Sequence, residues 1–481
     1  MNRGVSALVA FGLLACGDPT PPASSPDSPA PALDEVAPAE PITTPMGSLL
    51  DPDILEIVAP AELEQVALDV QELVGFVTRN TCSDNSGATP GIGAARDWIQ
   101  SQLAALPGLE VRPDPWTYTG CGGESRTLHN VIAWIPGTGD PNRLIVLGGH
   151  YDSRTTGSTD GGSPAPGAND SGSQTALGLQ VARMLAGHSF DATIVFAFWS
   201  GEEQGLRGSQ AFVNGNYRNY FPEGRLELNL TFDIVGGDNT ANDLIALQQF
   251  RLFSPGTPRE ISSTDGTSDD TSPSRGLMRH IGYWGASYVP AMAMLPRLRE
   301  DRPNRGSDHR SFIAKGVPGV RFIDVNENLA HQHSPNDLYD YVTPAYTALL
   351  AQVVAASVAS LARASTPPRS LTAQRLSSSS VKLSWAAPAS GPPVDHYVVS
   401  ARTVTENFYR TRFAVAGDAT SVTASVRDDL GIPSGTSYYV SVAAVDAAGH
   451  ESLYAYPEYR CSYSSRVCSV PRGSLDVTLT R

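Results

Sequence analysis

Two periodicities alternate between residues 60 and 364. Apolar positions recur at helical spacing over residues 63–74 and 94–106, again over an alanine-rich stretch at 345–364, and around a short segment at 274–283. Between them lie short unbroken apolar runs at 130–135, 144–147, 193–199, 228–234 and 317–323, which predict strands buried on both faces. Helices alternating with such strands predict an α/β domain with a mostly parallel central sheet flanked by helices. Sites in such sheets gather on the loops beyond the carboxyl ends of the strands.

The pattern changes on both sides of this region. Past Ser365-Thr366-Pro367-Pro368 the segments become short and alternating, as in Val381-Lys382-Leu383-Ser384-Trp385 and Tyr397-Val398-Val399, ending with Leu475, Val477 and Leu479. That is an all-β pattern. At the other end a single Arg3 precedes an apolar run at 7–15 that is too short to span a bilayer as a helix, so it predicts an export signal. Its end, Leu13-Leu14-Ala15-Cys16, resembles a bacterial lipobox, which implies a lipidated Cys16 and a cell-envelope lipoprotein, with plain secretion as the alternative. Residues 18–60 are rich in Pro, Ala, Ser and acidic side chains without apolar period, which predicts a disordered tether. The expected organisation is therefore a signal at 1–15, a tether at 16–60, an α/β domain at 61–364 and a β domain at 368–481.

Composition narrows the partners. A chain of 481 residues with a formal net charge of −15 has room for two or three domains and repels polyanions, which argues against nucleic acid. With Cys16 set aside, four of the five cysteines remain, and proximity pairs Cys82 with Cys121 and Cys461 with Cys468 among three possible connectivities. No Cys-x-x-Cys is present, which disfavours thiolate metal ligation.

The strand ends carry the chemistry. His150 and Asp152 follow the run at 144–147, with Asp170 further along the same glycine-rich loop. Glu202 and Glu203 follow the run at 193–199, Asp233 closes the run at 228–234, and His331 and His333 lie beyond the run at 317–323. Any one of these is more often a solvated or hydrogen-bonded surface group. Imidazoles and carboxylates from four strand ends, without thiolate, suit zinc, with manganese or cobalt as alternatives, and a pair of metals needs one carboxylate to bridge it.

These residues sit in phrases that resemble a known family: Gly149-His150-Tyr151-Asp152-Ser153, Gly167-Ala168-Asn169-Asp170-Ser171-Gly172, Glu202-Glu203-Gln204-Gly205-Leu206-Arg207-Gly208-Ser209, Asp233, Ser307-Asp308-His309 and His333-Ser334-Pro335-Asn336-Asp337. In this order they resemble the secreted di-zinc aminopeptidases, the metallopeptidase family that also holds glutamate carboxypeptidase and animal glutaminyl cyclase. The resemblance implies two Zn2+ ions, with His150 and Asp233 on one, Glu203 and His333 on the other, and Asp170 bridging. It also implies Glu202 as general base, Asp152 as acceptor of the second ring N–H of His150, and a cis peptide between Asp170 and Ser171. Only His333, not His331, is followed by the family's Ser-x-x-Asp. Asp308 and His309 would orient or line the site, while Asp160, Asp238 and Asp243 read as loop carboxylates.

The implied activity is release of amino-terminal residues from peptides or proteins. A carboxypeptidase or dipeptidase would need a positive clamp, for which Arg302, Arg305 and Arg310 are placed. A glutaminyl cyclase is disfavoured because the phrase from Glu202 to Ser209 is uninterrupted, and a non-catalytic binding protein because every ligand position is filled. The C-terminal region resembles a fibronectin type III domain, with Tyr438 as its corner tyrosine and binding of polymeric or surface substrate as its implied role.

Overall fold

The computed structural model describes residues 50–59, 62–237, 247–255, 272–301 and 305–471. Helices α1 (Pro52–Ile57), α2 (Leu63–Gly75) and α3 (Ile92–Ala104) precede a hairpin of β1 (Glu110–Cys121) and β2 (Glu124–Ile135). Then come β3 (Asp140–His150), α4 (Gln174–Leu185), β4 (Ala192–Trp199), α5 (Arg207–Asn214) and β5 (Arg225–Phe232). The series closes with β6 (Gln249–Phe253), α6 (Pro273–Tyr288), β7 (Ala293–Arg297), α7 (His309–Ile313), β8 (Gly319–Asp324) and α8 (Pro344–Arg363).

All eight strands form one sheet in the order β1-β2-β4-β3-β5-β8-β6-β7. The four central strands β4-β3-β5-β8 run parallel, whereas the β1/β2 hairpin and β6 join antiparallel, so the sheet is mixed toward its edges. The unbroken apolar runs have a direct cause. Along β4, Ile194, Phe196 and Phe198 join the larger core with α2, α4 and α8, while Val195, Ala197 and Trp199 pack with Phe212 of α5 and Phe312 of α7. Both faces of the strand are covered, so every position must be apolar. Helix α8 is apolar all round for the same reason: it packs against α1, α2, α4 and α6.

Two details differ from the sequence pattern, and others fall outside the described residues. Residues 50–59, placed in the tether, instead carry α1: Asp51 accepts from the Asp53 amide, Pro52 starts the helix, and Ile54 and Ile57 are buried. Cys16, the run before it and the final strand around Leu475 lie outside the described residues. In the C-terminal domain Tyr438 is buried, but its hydroxyl has no hydrogen-bond partner among the described residues, so the expected corner bond is not made.

That C-terminal domain is a two-sheet sandwich. The first sheet orders as β13-β10-β9, from β9 (Arg369–Arg375), β10 (Ser380–Ala386) and β13 (Ser421–Ser425). The second orders as β12-β11-β14-β15-β16, from β11 (Val394–Thr403), β12 (Thr411–Ala416), β14 (Tyr438–Asp446), β15 (Tyr459–Cys461) and β16 (Cys468–Ser469). Val381, Leu383 and Trp385 alternate into its core, as their spacing predicts. Both expected disulfides, Cys82–Cys121 and Cys461–Cys468, are formed.

The sandwich docks on α6 through buried charge. Arg279 of α6 donates to Glu458 at 3.0 Å and to the Asn407 carbonyl at 2.7 Å. Arg402 and the Tyr409 hydroxyl donate to the same Glu458 at 2.8 and 2.7 Å. Removing the shared acceptor takes a buried carboxylate away from two buried guanidinium groups and a buried hydroxyl. Glu458→Ala is therefore expected to cost about 3–5 kcal/mol in urea unfolding; a cost under about 1 kcal/mol would mean that solvent reaches these arginines freely.

Candidate metal centre

The site lies where the carboxyl ends of the parallel strands meet. β3 delivers His150 as its last residue, and Gly148 makes this possible: its φ is 151°, and a Cβ there would collide with the Ala197 carbonyl of β4. Asp233 follows β5 directly, and Glu202 and Glu203 lie in the turn that leaves β4. Asp170 sits in a widened turn, Ala168–Ser173, that leads into α4.

Donor atoms converge in two adjoining groups. His150 Nε2 lies 3.3 Å from Asp170 Oδ1 and 3.6 Å from Asp233 Oδ1. His333 Nε2 lies 3.1 Å from Asp170 Oδ2 and 3.3 Å from Glu203 Oε1. Asp170 thus turns one oxygen toward each imidazole. Within each of the sets His150, Glu202, Asp233 and Asp170, Glu203, His333, the donor atoms lie within 4.8 Å of one another. His150, Asp170 and Asp233 are buried, as is the Glu203 side chain, and His333 is half-buried.

Neighbouring groups hold these side chains in place. The two oxygens of Asp337 accept the amides of Asn169 and Asp170 at 2.8 and 2.9 Å, fixing the turn that carries Asp170. The carboxylate of Asp152 accepts the amides of Glu202 and Glu203 at 3.2 and 3.3 Å and the Thr81 hydroxyl at 3.2 Å. His150 Nδ1 meets the Asp152 main-chain carbonyl at 2.9 Å, with the carboxylate further off at 3.5 Å. Asp152 is therefore at the expected place with its roles exchanged: the carbonyl faces the ring, and the carboxylate ties down the glutamate doublet. The Asp170–Ser171 peptide is trans, not cis. Asp170 leaves helical geometry instead, at φ −108° and ψ 84°, and this kink together with Asp337 directs its carboxylate.

Electrostatics follow from burial and crowding. Burial works against the charge on Asp170, but His150 and His333 outweigh it and hold its carboxyl well below the usual range. Burial pushes Glu202 well above that range; His150 opposes the shift, and the carboxylates of Glu203, Asp308 and Asp233 add to it. Burial likewise lifts Asp308 to about 7, and neither of its oxygens has a hydrogen-bond partner among the described residues.

The two histidine candidates separate clearly. His331 stacks on Tyr341 with ring centroids 3.7 Å apart, while His333, at a left-handed φ of 54°, faces Asp170 and Glu203. A bulky residue held at positive φ is strained backbone of the kind that gathers at functional sites. Asp160 is a loop carboxylate capping the amides of Gly162 and Ser163, whereas Asp238 and Asp243 lie outside the described residues. Two groups were missed by the sequence pattern. Arg154 bonds Glu203, and Arg321 bonds Asp233. Arg154 follows the His150 phrase by a single residue, which was the available signal; Arg321 lies inside an apolar strand run and gave none.

The residues fit a pair of metal ions on grounds of donor chemistry. Asp170 Oδ1 and Glu203 Oε1 are buried without hydrogen-bond partners among the described residues, and the set contains imidazoles and carboxylates with no thiolate.

Comparisons with known proteins support zinc. Residues 130–358 match the model of Peptidase family M28, and residues 366–458 match that of the Fibronectin type III domain. A "Probable zinc metalloprotease" of Pyrenophora tritici-repentis (strain Pt-1C-BFP) is 35% identical over 347 residues, covering 67% of this chain and 71% of the relative. The Legionella pneumophila LapA aminopeptidase structure is similar with a TM-score of 0.48 and 16% identity, over 66% of this chain and 76% of that one. The Fimbriiglobus ruber glutaminyl cyclase structure is similar with a TM-score of 0.46 and 19% identity, over 66% and 99%. Those two proteins bear the names of different reactions, and likeness of this degree does not choose between them.

Proposed function

Because this chain belongs to peptidase family M28 and is a zinc metalloprotease with a C-terminal fibronectin type III domain, we propose that it is a two-zinc aminopeptidase. The observation that carries the reading is Asp170, whose two oxygens face the two imidazoles from between the His150–Asp233 and Glu203–His333 pairs. In this assignment His150 and Asp233 would hold one ion and Glu203 and His333 the other, with Asp170 shared between them. Two zinc ions so held supply Lewis-acid polarisation of the scissile carbonyl and acidify water.

The protein's own groups do the rest. Glu202 has a donor atom within 4.8 Å of those of His150 and Asp233, but in this assignment it is left to the proton: its raised proton affinity suits a group that takes a proton from the attacking water and returns it to the leaving amine. Asp152 keeps the two glutamates in register through their amides, so that one carboxylate serves the metals and the other the proton.

Exopeptidase action at a free amino terminus is supported by the ties on the arginines near the cleft. Of the arginines that would clamp a substrate carboxylate, two have other partners: Arg305 donates to Glu327 at 2.7 Å and Gln332 at 3.0 Å, and Arg310 lies 3.9 Å from Glu300; Arg302 lies outside the described residues. One short peptide offered with free ends, with an acetylated amino terminus and with an amidated carboxyl terminus tests this. Release of the first residue is expected from the free and amidated forms and almost none from the acetylated one. Brisk cleavage of the acetylated peptide contradicts the aminopeptidase reading, loss with the amidated one points to a carboxypeptidase, and ammonia released from an amino-terminal glutamine points to a cyclase.

We also infer export to an oxidising compartment, supported by the two disulfides and the apolar run before Cys16, with Cys16 as the point of lipid anchoring. In this reading the fibronectin type III domain binds polymeric or surface-attached substrate beside the catalytic domain.

A further inference from the structure

Glu203 and Asp233 are divided between two neighbours in the same way. Glu203 turns Oε1 toward His333 Nε2 at 3.3 Å, and its Oε2 accepts from Arg154 Nε at 2.6 Å. Asp233 turns Oδ1 toward His150 Nε2 at 3.6 Å, and its Oδ2 is ion-paired with Arg321 Nη2 at 2.9 Å. Arg154 comes from the loop after β3 and Arg321 from the interior of β8, so unrelated elements produce the same arrangement. In both cases a guanidinium pairs with one oxygen and an imidazole faces the other, which in Glu203 is buried with no hydrogen-bond partner among the described residues.

We propose that Arg154 is a positioning residue that reserves one oxygen of Glu203 for metal and so sets the affinity of the Glu203–His333 site separately from that of the His150–Asp233 site. This rests on the ligand assignment made above. A charge-assisted bond to one oxygen fixes the carboxylate plane before an ion arrives and prevents both oxygens from chelating it. Arg154 also places Nη2 2.7 Å from His333 Nδ1. A guanidinium only donates, so in this arrangement the ring proton sits on Nε2. If His333 gives Nε2 to a metal, its ring proton would belong on Nδ1 and the contact with Arg154 would open. The bond to Glu203 is the one that persists.

The side chain of Arg154 is 21% exposed, so it can be replaced without opening the core. Zinc titration against a chromophoric chelator should be run on the full-length protein and on Arg154→Gln, Arg154→Lys and Glu203→Gln, with folding checked by circular dichroism. Arg154→Gln is expected to bind one ion normally and the other about 10–100-fold more weakly. Arg154→Lys, which keeps one charged donor, should recover part of the loss. Equal weakening of both ions, tighter binding of either, or unchanged binding in Arg154→Gln while Glu203→Gln loses an ion would overturn the role of Arg154 and leave the ligand assignment standing. Two normally bound ions in Glu203→Gln would overturn the ligand assignment itself.

Discussion

Glu202→Gln should leave two zinc ions bound and lower kcat by about 10²–10⁴-fold. The amide keeps the size and much of the packing of the carboxyl group but cannot accept a proton from water. The main-chain anchor is untouched, since the Glu202 and Glu203 amides, not the side chains, bond to Asp152. Glu203→Gln should behave differently, because Glu203 Oε1 faces His333 and Asp170 from within the second donor set. Zinc content by mass spectrometry, set beside single-turnover rates, separates the two. Full turnover in Glu202→Gln would require another base, and Asp308, lifted to about 7 by burial, is the nearest candidate by proton affinity.

Asp170→Asn should be more damaging still. An asparagine offers one acceptor oxygen and one amide nitrogen, so it cannot face two cations with an oxygen each. Its neutral side chain also removes the charge that the two imidazoles stabilise. We expect zinc content to fall from two ions to one or none, with turnover at background. The backbone should hold, because Asp337 grips residue 170 through its amide, which the substitution keeps. Retention of two ions with normal turnover would remove Asp170 from the bridge.

The parts of this site that were legible in the sequence are those written locally. β3 and β4 announced themselves because burial on both faces demands an unbroken apolar run, and the chemistry sits directly after those runs. The hairpin partner β1 was not legible: with most of its positions exposed or half-buried and two prolines within it, Glu110–Cys121 has neither a continuous run nor a clean alternation. Helix α1 hid in a segment whose Pro, Ala and acidic content resembles a tether, since its order depends on Ile54 and Ile57 meeting a core assembled from distant residues. The arginines on Glu203 and Asp233 were illegible for a similar reason. Arg154 is 49 residues from Glu203, and only the sheet order that sets β3 beside β4 brings their loops together. Asp152 was found by its spacing from His150, yet which of its atoms faces the ring depends on the path of the loop, which spacing does not encode.

The central claim is a two-metal centre bridged by Asp170, and diffraction from crystals of the zinc-loaded protein, with anomalous data collected on either side of the zinc edge, tests it most directly. The account predicts two anomalous peaks about 3.5–4 Å apart, one bound by His150 and Asp233, the other by Glu203 and His333, with an oxygen of Asp170 on each. A single peak, or two peaks of which either lies out of reach of Asp170, would contradict it.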